Sequence, residues 1–414
     1  MTDTKHLLII GSVWPEPDSS AAGSRMMQLI DLFQKSGWNI TFSSSAVESP
    51  YQVDLSAWGI DTAQVAVNDS EFDTFVQQLN PDAVIFDRFM TEEKFGWRVA
   101  EHYPGALRIL DTEDLHCLRK ARRKAVHEER KFSEKDLLAE EVAIRELASI
   151  YRSDLSLIIS EAEMKLLRNL FQVDKSILHY LPFLLDPVDE KHVENWPNFD
   201  SRRHFVTIGN FRHPPNWDAV LYLKRIIWPR IRKKLPEAEL HIYGSYPSQK
   251  VWQLHKQEEG FCIKGRAESA AEVVSQARVC LAPLRFGAGL KGKLVEAMQC
   301  GTPSVTTPIG AEGLSGSLNW SGIIADQPAD FANAAVKLYT DISRWKNAQQ
   351  QGIKIINQRF NKSRFSGKIT EHVYELMQNL QDHRLKNFTG RMLRHHSMNS
   401  TKYMSRWIEA KNKV

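Results

Sequence analysis

Strand-like apolar runs alternate with helical patterns along this chain, and the alternation starts twice. Parallel neighbours in a sheet need a crossover between them, usually a helix, so this alternation predicts α/β domains with helices on both sheet faces. In the first half, strands are expected at Leu7–Ser12, Asn39–Ser45, Ala83–Asp87, Ala106–Asp111, Leu155–Ser160 and Ile177–Leu181. Met26, Ile30 and Phe33 recur at helical spacing between the first two, and Gly37 is placed to end that helix. Ser160 and Glu163 have capping-box spacing for the helix that follows. The pattern restarts at His204–Asn210 and runs through Glu239–Gly244, Gly260–Lys264, Val279–Pro283 and Ser304–Thr307. Between the halves lie prolines, acids and Asn198 with no apolar period. The expected organisation is an N-terminal domain over 1–186, a linker over 187–203, a second domain over 204–360, and a crossover helix with a basic tail over 361–414.

Composition agrees with two globular domains. A chain of 414 residues suffices for two units of about 150–200 residues each. With 42% apolar and 25% charged residues and a net charge of only +4, the whole-molecule field gives no argument for nucleic acid. Cys117, Cys262, Cys280 and Cys300 show no CxxC spacing and suit thiols of a reducing compartment better than bridges or zinc. No apolar run reaches the roughly 18–20 residues of a membrane span, and the chain enters a strand at Leu7 without a cleavage signal. A cytoplasmic location is expected.

The densest chemistry lies in FGAGLKGKLVEAMQCGTPSVTTPIGAEGL, residues 286–314. Gly287 and Gly289 let the backbone turn tightly and approach a ligand. Lys291 and Lys293 fall at the start of a helix, where free amides and the dipole already attract anions. One turn on, Glu296 can accept hydrogen bonds from a sugar diol. The bland alternative is a surface Lys293–Glu296 pair worth a few tenths of a kcal/mol. That alternative leaves two lysines beside Gly287, Gly289 and Gly292 unexplained.

This stretch resembles the donor-binding segment of family 4 glycosyltransferases, within the group carrying a PLRxGxGxKGKxxEAM signature followed by GAEGL. The resemblance implies the GT-B fold, two Rossmann-like domains facing across a cleft, with a C-terminal helix crossing back to the first domain. It implies sugar transfer from a nucleoside-diphosphate sugar to a glycan or lipid-linked acceptor with retention of configuration, needing neither metal nor cofactor. His204–Asn216 resembles the family's glycine loop, with Gly209 near the nucleotide and Arg212 either on a phosphate or in a surface ion pair. Pro214 and Pro215 stiffen this loop, and Asn216 is placed to cap the helix behind it. Many family members carry an arginine directly after this glycine and a lysine a few residues on. This chain has neither, so Lys291 or Lys293 is expected to supply the charge. Residues 261–266 resemble the segment that contacts the base. Many members also carry a glutamate eight residues before Glu296, where this chain has Ala288. Glu312, in GAEG, contacts the sugar or caps the next helix.

In the first domain, residues 13–26 resemble the family's first loop, in which Gly23 and its small neighbours admit the diphosphate and Arg25 assists. Trp14 in such a loop stacks on a sugar or, more often, packs. Near a strand end, Asp111, Glu113 and Asp114 are candidates for acceptor hydroxyls or for orienting His116, a shifted counterpart of a family histidine near the anomeric centre. The same acids also read as the metal motif of the other major glycosyltransferase fold, in conflict with the lysine cradle. The basic stretch 119–131 is a solvated helix face or a contact for anionic lipid headgroups at the inner face of a membrane. The tail from Asn387 is also basic, with Arg394, His395, His396 and Trp407, and residues after Phe360 are expected to clamp the first domain. Lys293, Arg212 and His116 are the expected catalytic groups, with Lys291 and Glu296 binding donor. A nucleotide-sugar epimerase on the same fold and a catalytically idle nucleotide-sugar binder are the alternatives.

Overall fold

The computed structural model describes residues 4–412, with the side chains of 396–398 set aside. The side chain of His396 therefore lies outside those described. The first sheet is built from β1 (His6–Gly11), β2 (Asn39–Ser44), β3 (Asp61–Gln64), β4 (Ala83–Asp87), β5 (Leu107–Asp111), β6 (Leu155–Ile158) and β7 (Leu178–Tyr180). The second is built from β8 (Phe205–Ile208), β9 (Leu240–Tyr243), β10 (Phe261–Gly265), β11 (Val279–Ala282), β12 (Ser304–Thr306) and β13 (Gly322–Ile324). All pairings are parallel, in the orders β3-β2-β1-β4-β5-β6-β7 and β10-β9-β8-β11-β12-β13.

Both sheets are buried on two faces, which explains their near-continuous apolar strands. Leu7 and Ile9 face one core with Ile30 and Phe33, while Leu8 and Ile10 face the other with Phe86 and Leu110. In the second sheet, Phe205 packs with Trp228 and Leu281, and Val206 faces the opposite way with Cys280 and Ala297.

Strand order reverses at one place in each sheet, between β1 and β4 and between β8 and β11. Loops diverge to opposite faces there and leave a crevice at the carboxyl ends of the strands. The two crevices face each other.

The chain crosses between domains twice, and the crossings lie side by side. Leu185 N–H donates to Phe360 O and Lys362 N–H to Leu185 O, both at 2.8 Å. The segment expected as a featureless linker holds a short helix, Glu190–Glu194, and its Phe199 packs in the second domain's core. After the return crossing, Ile369, Val373 and Leu376 of helix Ser366–Gln378 join the core of the first sheet. Further on, Arg384 donates to Asp154 at 2.8 and 2.6 Å, and Arg108 holds the same carboxylate from its own domain. Although burial opposes ionisation, Arg108 and Arg384 hold the Asp154 carboxyl well below the usual range.

Candidate functional site

The loops at both reversal points line one cavity of 640 Å³. From the first domain come the loop after β1 (Val13 to Ser24), Asp87 and Arg88 at the end of β4, and Glu113, Asp114 and His116 after β5. The second domain contributes Gly209 to Asn216 after β8, and Gly287, Ala288, Lys291, Lys293 and Glu296 after β11. Residues from opposite ends of the sequence thus share one wall-to-wall space.

The second-domain wall is electropositive without being internally neutralised. Helix Gly292–Gln299 begins beside the cavity, with Lys291 as its N-cap residue and no side chain capping its first-turn amides. Lys291 donates through Nζ to Gly289 O at 2.7 Å and is buried. Burial lowers its pKa to about 8, only partly opposed by Glu312. Desolvation likewise brings Lys293 down to about 8. Burial, reinforced by the charge of Asp18 across the cleft, raises Glu296 to about 7. No Lys293–Glu296 bridge is formed. Arg212 lines the cavity and makes no ion pair among the described residues; its guanidinium lies 3.7 Å from the ring centroid of Tyr246.

Two glycines set how near the lobes come. Gly289 has φ 59°, and a Cβ there would lie 2.8 Å from that of Asp114 in the opposite domain. A Cβ on Gly292 would come within 2.4 Å of the Ala21 Cβ, at the start of the first domain's helix Ala21–Lys35. Gly23 lies in that helix's first turn and lines the cavity, its N–H donating to Ser20 Oγ at 3.0 Å.

The first-domain wall is different: most of its charges are already paired. Arg25 is fully buried and bonds Asp111 through Nε and Nη2, at 3.1 and 2.8 Å, and Leu181 O through Nη1 at 2.8 Å. Neither Arg25 nor Asp111 lines the cavity, so Arg25 does not assist at a phosphate and Asp111 does not face an acceptor. Asp114 pairs with Arg119 and lies 3.3 Å from His116 Nε2. Burial alone would push Asp114 up, but Arg119 beside it holds it down to about 2. His116 packs edge-on to Phe89 and is lowered by burial to about 4, which keeps the ring neutral at pH 7. Glu113 has no ion-pair partner among the described residues. It lines the cavity with φ 61°, its Oε1 is buried without a partner, and burial together with Asp111 raises its pKa well above the usual carboxylate range.

Several expectations are corrected by these contacts. Glu312 neither lines the cavity nor caps a following helix; it ends helix Pro308–Ala311, and Arg122 of the first domain takes both its oxygens, at 2.8 and 2.7 Å, and also donates to Gly287 O at 2.9 Å. Asn216 lies in the first turn of helix Pro214–Tyr222 and bonds Asn210 O, while His213 holds the N-cap position. Glu163 makes no capping box; it accepts from Leu115 N–H at 2.9 Å and from Gly289 N–H of the second domain at 2.7 Å. Trp14 is packed, its indole N–H on Ala46 O at 3.0 Å. The acids 111–114 do not converge as a metal motif, because Asp111 and Asp114 are taken by separate arginines. Among the described residues one group has metal-ligand spacing, Glu239, His241 and Cys262, and none of the three lines the cavity.

Glu163, Arg122, Arg88 and Tyr246 escaped sequence reasoning. Tyr246 Oη donates to Glu16 Oε1 across the cleft at 2.6 Å, and Arg266 lies 4.5 Å from the ring centroid of Tyr51. Each contact joins segments far apart in sequence. Only Arg88, next to a strand end at a reversal point, carried a local signal.

Comparison with known proteins accords with this fold. Residues 202–341 match the family model described as glycosyl transferases group 1. No curated protein matches the chain in sequence. Sucrose-phosphate synthase from Thermosynechococcus elongatus superposes with a TM-score of 0.66 at 15% identity, over 90% of this chain and 99% of that one. HepE of Anabaena, solved in complex with UDP-glucose, gives 0.66 at 12% identity over 90% and 100%. WaaG, a glycosyltransferase involved in lipopolysaccharide biosynthesis, gives 0.60 at 11% over 89% and 99%. The chain has the two-domain fold of GT-B glycosyltransferases, and its second domain matches the group 1 model.

Proposed function

We propose that this protein transfers a sugar from a nucleoside-diphosphate sugar to a glycan or lipid-linked hydroxyl acceptor, with retention of configuration and without a metal ion. One observation carries the reading: both reversal-point crevices open into a single cavity whose second-domain wall presents Lys291, Lys293, Arg212 and an uncapped helix start. The complex of HepE with UDP-glucose lends weight to a nucleotide-sugar donor, and WaaG to an envelope acceptor.

In this scheme the diphosphate lies over the start of helix Gly292–Gln299, and Glu296 holds the ribose diol. The bond between the anomeric carbon and the diphosphate oxygen breaks, its electron pair passing to that oxygen. Lys293, Lys291 and Arg212 stabilise the growing negative charge. The ring gains oxocarbenium character, and the acceptor oxygen attacks on the face being vacated. Its proton passes to the departing phosphate oxygen, so no protein nucleophile is required. Neutral His116 and the Glu113 carboxyl, whose pKa burial raises, serve as hydrogen-bond partners for sugar or acceptor hydroxyls. A cytoplasmic location suits such a donor, and no helix among the described residues is long and apolar enough to cross a membrane.

The test is donor turnover in acceptor-free protein, followed by NMR with and without EDTA. Release of sugar with its anomeric configuration retained, unaffected by chelation, is expected. An inverted product, a rearranged sugar still linked to nucleotide, or loss of turnover in EDTA contradicts the reading.

A further inference from the structure

We propose that the terminal helix, Phe388–Asn412, seats the first domain on an anionic phospholipid surface. Its amphipathicity is reversed relative to a helix packed on a core. Against the first domain it turns polar groups. Gly390 lies so near Tyr151 O that a Cβ would come within 2.1 Å, and Arg394 donates to Arg152 O at 2.9 Å. Ser405 accepts from Arg98 at 3.1 Å, Lys402 and Arg406 pair with Glu101 at 2.7 and 3.0 Å, and Glu409 accepts from Ser70 at 2.6 Å. The apolar side chains point the other way. Phe388 is 69% exposed and Trp407 60%, with Met392, Tyr403 and Met404 between them, and Leu385 is exposed at the end of the preceding helix. Positions 388, 392, 403 and 407 follow the helical repeat and form one stripe.

The rim of this stripe is cationic. Lys386, Arg391 and Lys411 are exposed and have no ion-pair partner among the described residues. Arg391 lies 5.8 Å from the Phe388 ring centroid and Lys411 5.3 Å from that of Trp407. Within the helix, Glu409 is the one acid against Arg391, Arg394, Lys402, Arg406 and Lys411. Aromatic and aliphatic side chains that enter the headgroup region, flanked by bases that meet lipid phosphates, make an interfacial helix. A second copy of the chain is the poorer occupant, because a two-fold contact along this stripe would set the cationic rims against each other. The basic stretch 119–131 is a weaker docking element: Arg119, Lys120, Arg122 and Arg130 are all committed to acids of the protein itself.

The experiment is flotation of the full chain with phosphatidylcholine vesicles, with and without about a third phosphatidylglycerol. Binding to the anionic vesicles is expected, falling roughly tenfold or more when ionic strength rises to about 0.5 M. The double variant Phe388→Ser/Trp407→Ser should lose roughly tenfold in vesicle affinity, and Arg391→Glu/Lys411→Glu should lose it on anionic vesicles. Both pairs are exposed, so melting temperature and nucleotide binding should be unchanged. Absence of flotation, equal binding by either variant, or a dimer in sedimentation that Phe388→Ser/Trp407→Ser dissolves overturns the proposal.

Discussion

The two reversal-point crevices share a backbone plan and differ in what their charges do. In the first domain, arginines are consumed by the protein: Arg25 by Asp111 and Arg119 by Asp114. In the second, Lys293 and Arg212 line the same cavity without an ion pair among the described residues, beside an uncapped helix start. A cation already matched by a buried carboxylate holds the fold. An unmatched one such as Lys293, its pKa lowered by desolvation, gains by receiving an anion. On the proposed function, the difference gives one wall to the fold and the other to the ligand.

The largest effect should come from breaking the matched side. Arg25→Ala strands Asp111 in a fully buried position, and removing one partner of such a pair costs about 3–5 kcal/mol. Urea unfolding should show a loss of that size; a loss below about 1 kcal/mol would place the pair among surface bridges instead. On the unmatched side, Lys293→Ala should lower turnover roughly 100- to 1000-fold while leaving the melting temperature nearly unchanged. Comparable turnover in a folded variant would remove Lys293 from the mechanism. Glu296→Gln should weaken donor binding roughly tenfold or more, as expected for losing a charged hydrogen-bond acceptor; calorimetry giving an unaltered Kd contradicts the ribose clamp.

The smallest effect is the pH dependence of nucleotide affinity. Burial lowers Lys291 and Lys293 each to about 8, and an anionic ligand favours their charged forms. Affinity should therefore fall as pH rises past 8. Glu296 sits at about 7, and its ionised form is the better acceptor, so affinity should also fall as pH drops below 7. Titrations across pH 6 to 9 should give a maximum between these limbs. A flat profile separates the cradle from the binding step.

Much of the architecture was legible because two-face burial writes long apolar runs. The strands expected at Ala83–Asp87 and Val279–Pro283 end within one residue of β4 and β11. Edge strands β3 and β13 went unseen: Asp61–Gln64 is mostly exposed and polar, and Gly322–Ile324 is only three residues long. The second-domain wall of the cavity was legible because a strand end, glycines, lysines and helix start are contiguous in sequence. The first-domain wall was not, since Asp111 and Glu113 look alike as residues. Only tertiary packing gives Asp111 an arginine and leaves a buried Glu113 oxygen without a partner. The roles of Glu163, Arg122 and Tyr246 likewise exist only where the lobes meet. The outward aromatic stripe of the terminal helix was hidden as well, because helical periodicity shows a stripe but not which side faces the protein.

The central claim is that a pyrophosphate sits between the lobes, held by Lys291 and Lys293 of the second domain. Calorimetric comparison of nucleoside, nucleoside monophosphate and nucleoside diphosphate, in the native protein and in Lys291→Ala/Lys293→Ala, tests it most directly. The diphosphate should bind roughly tenfold or more tighter than the nucleoside, and the double variant should abolish that advantage while still binding nucleoside. Equal affinity for all three, or an advantage that survives loss of both lysines, contradicts the account.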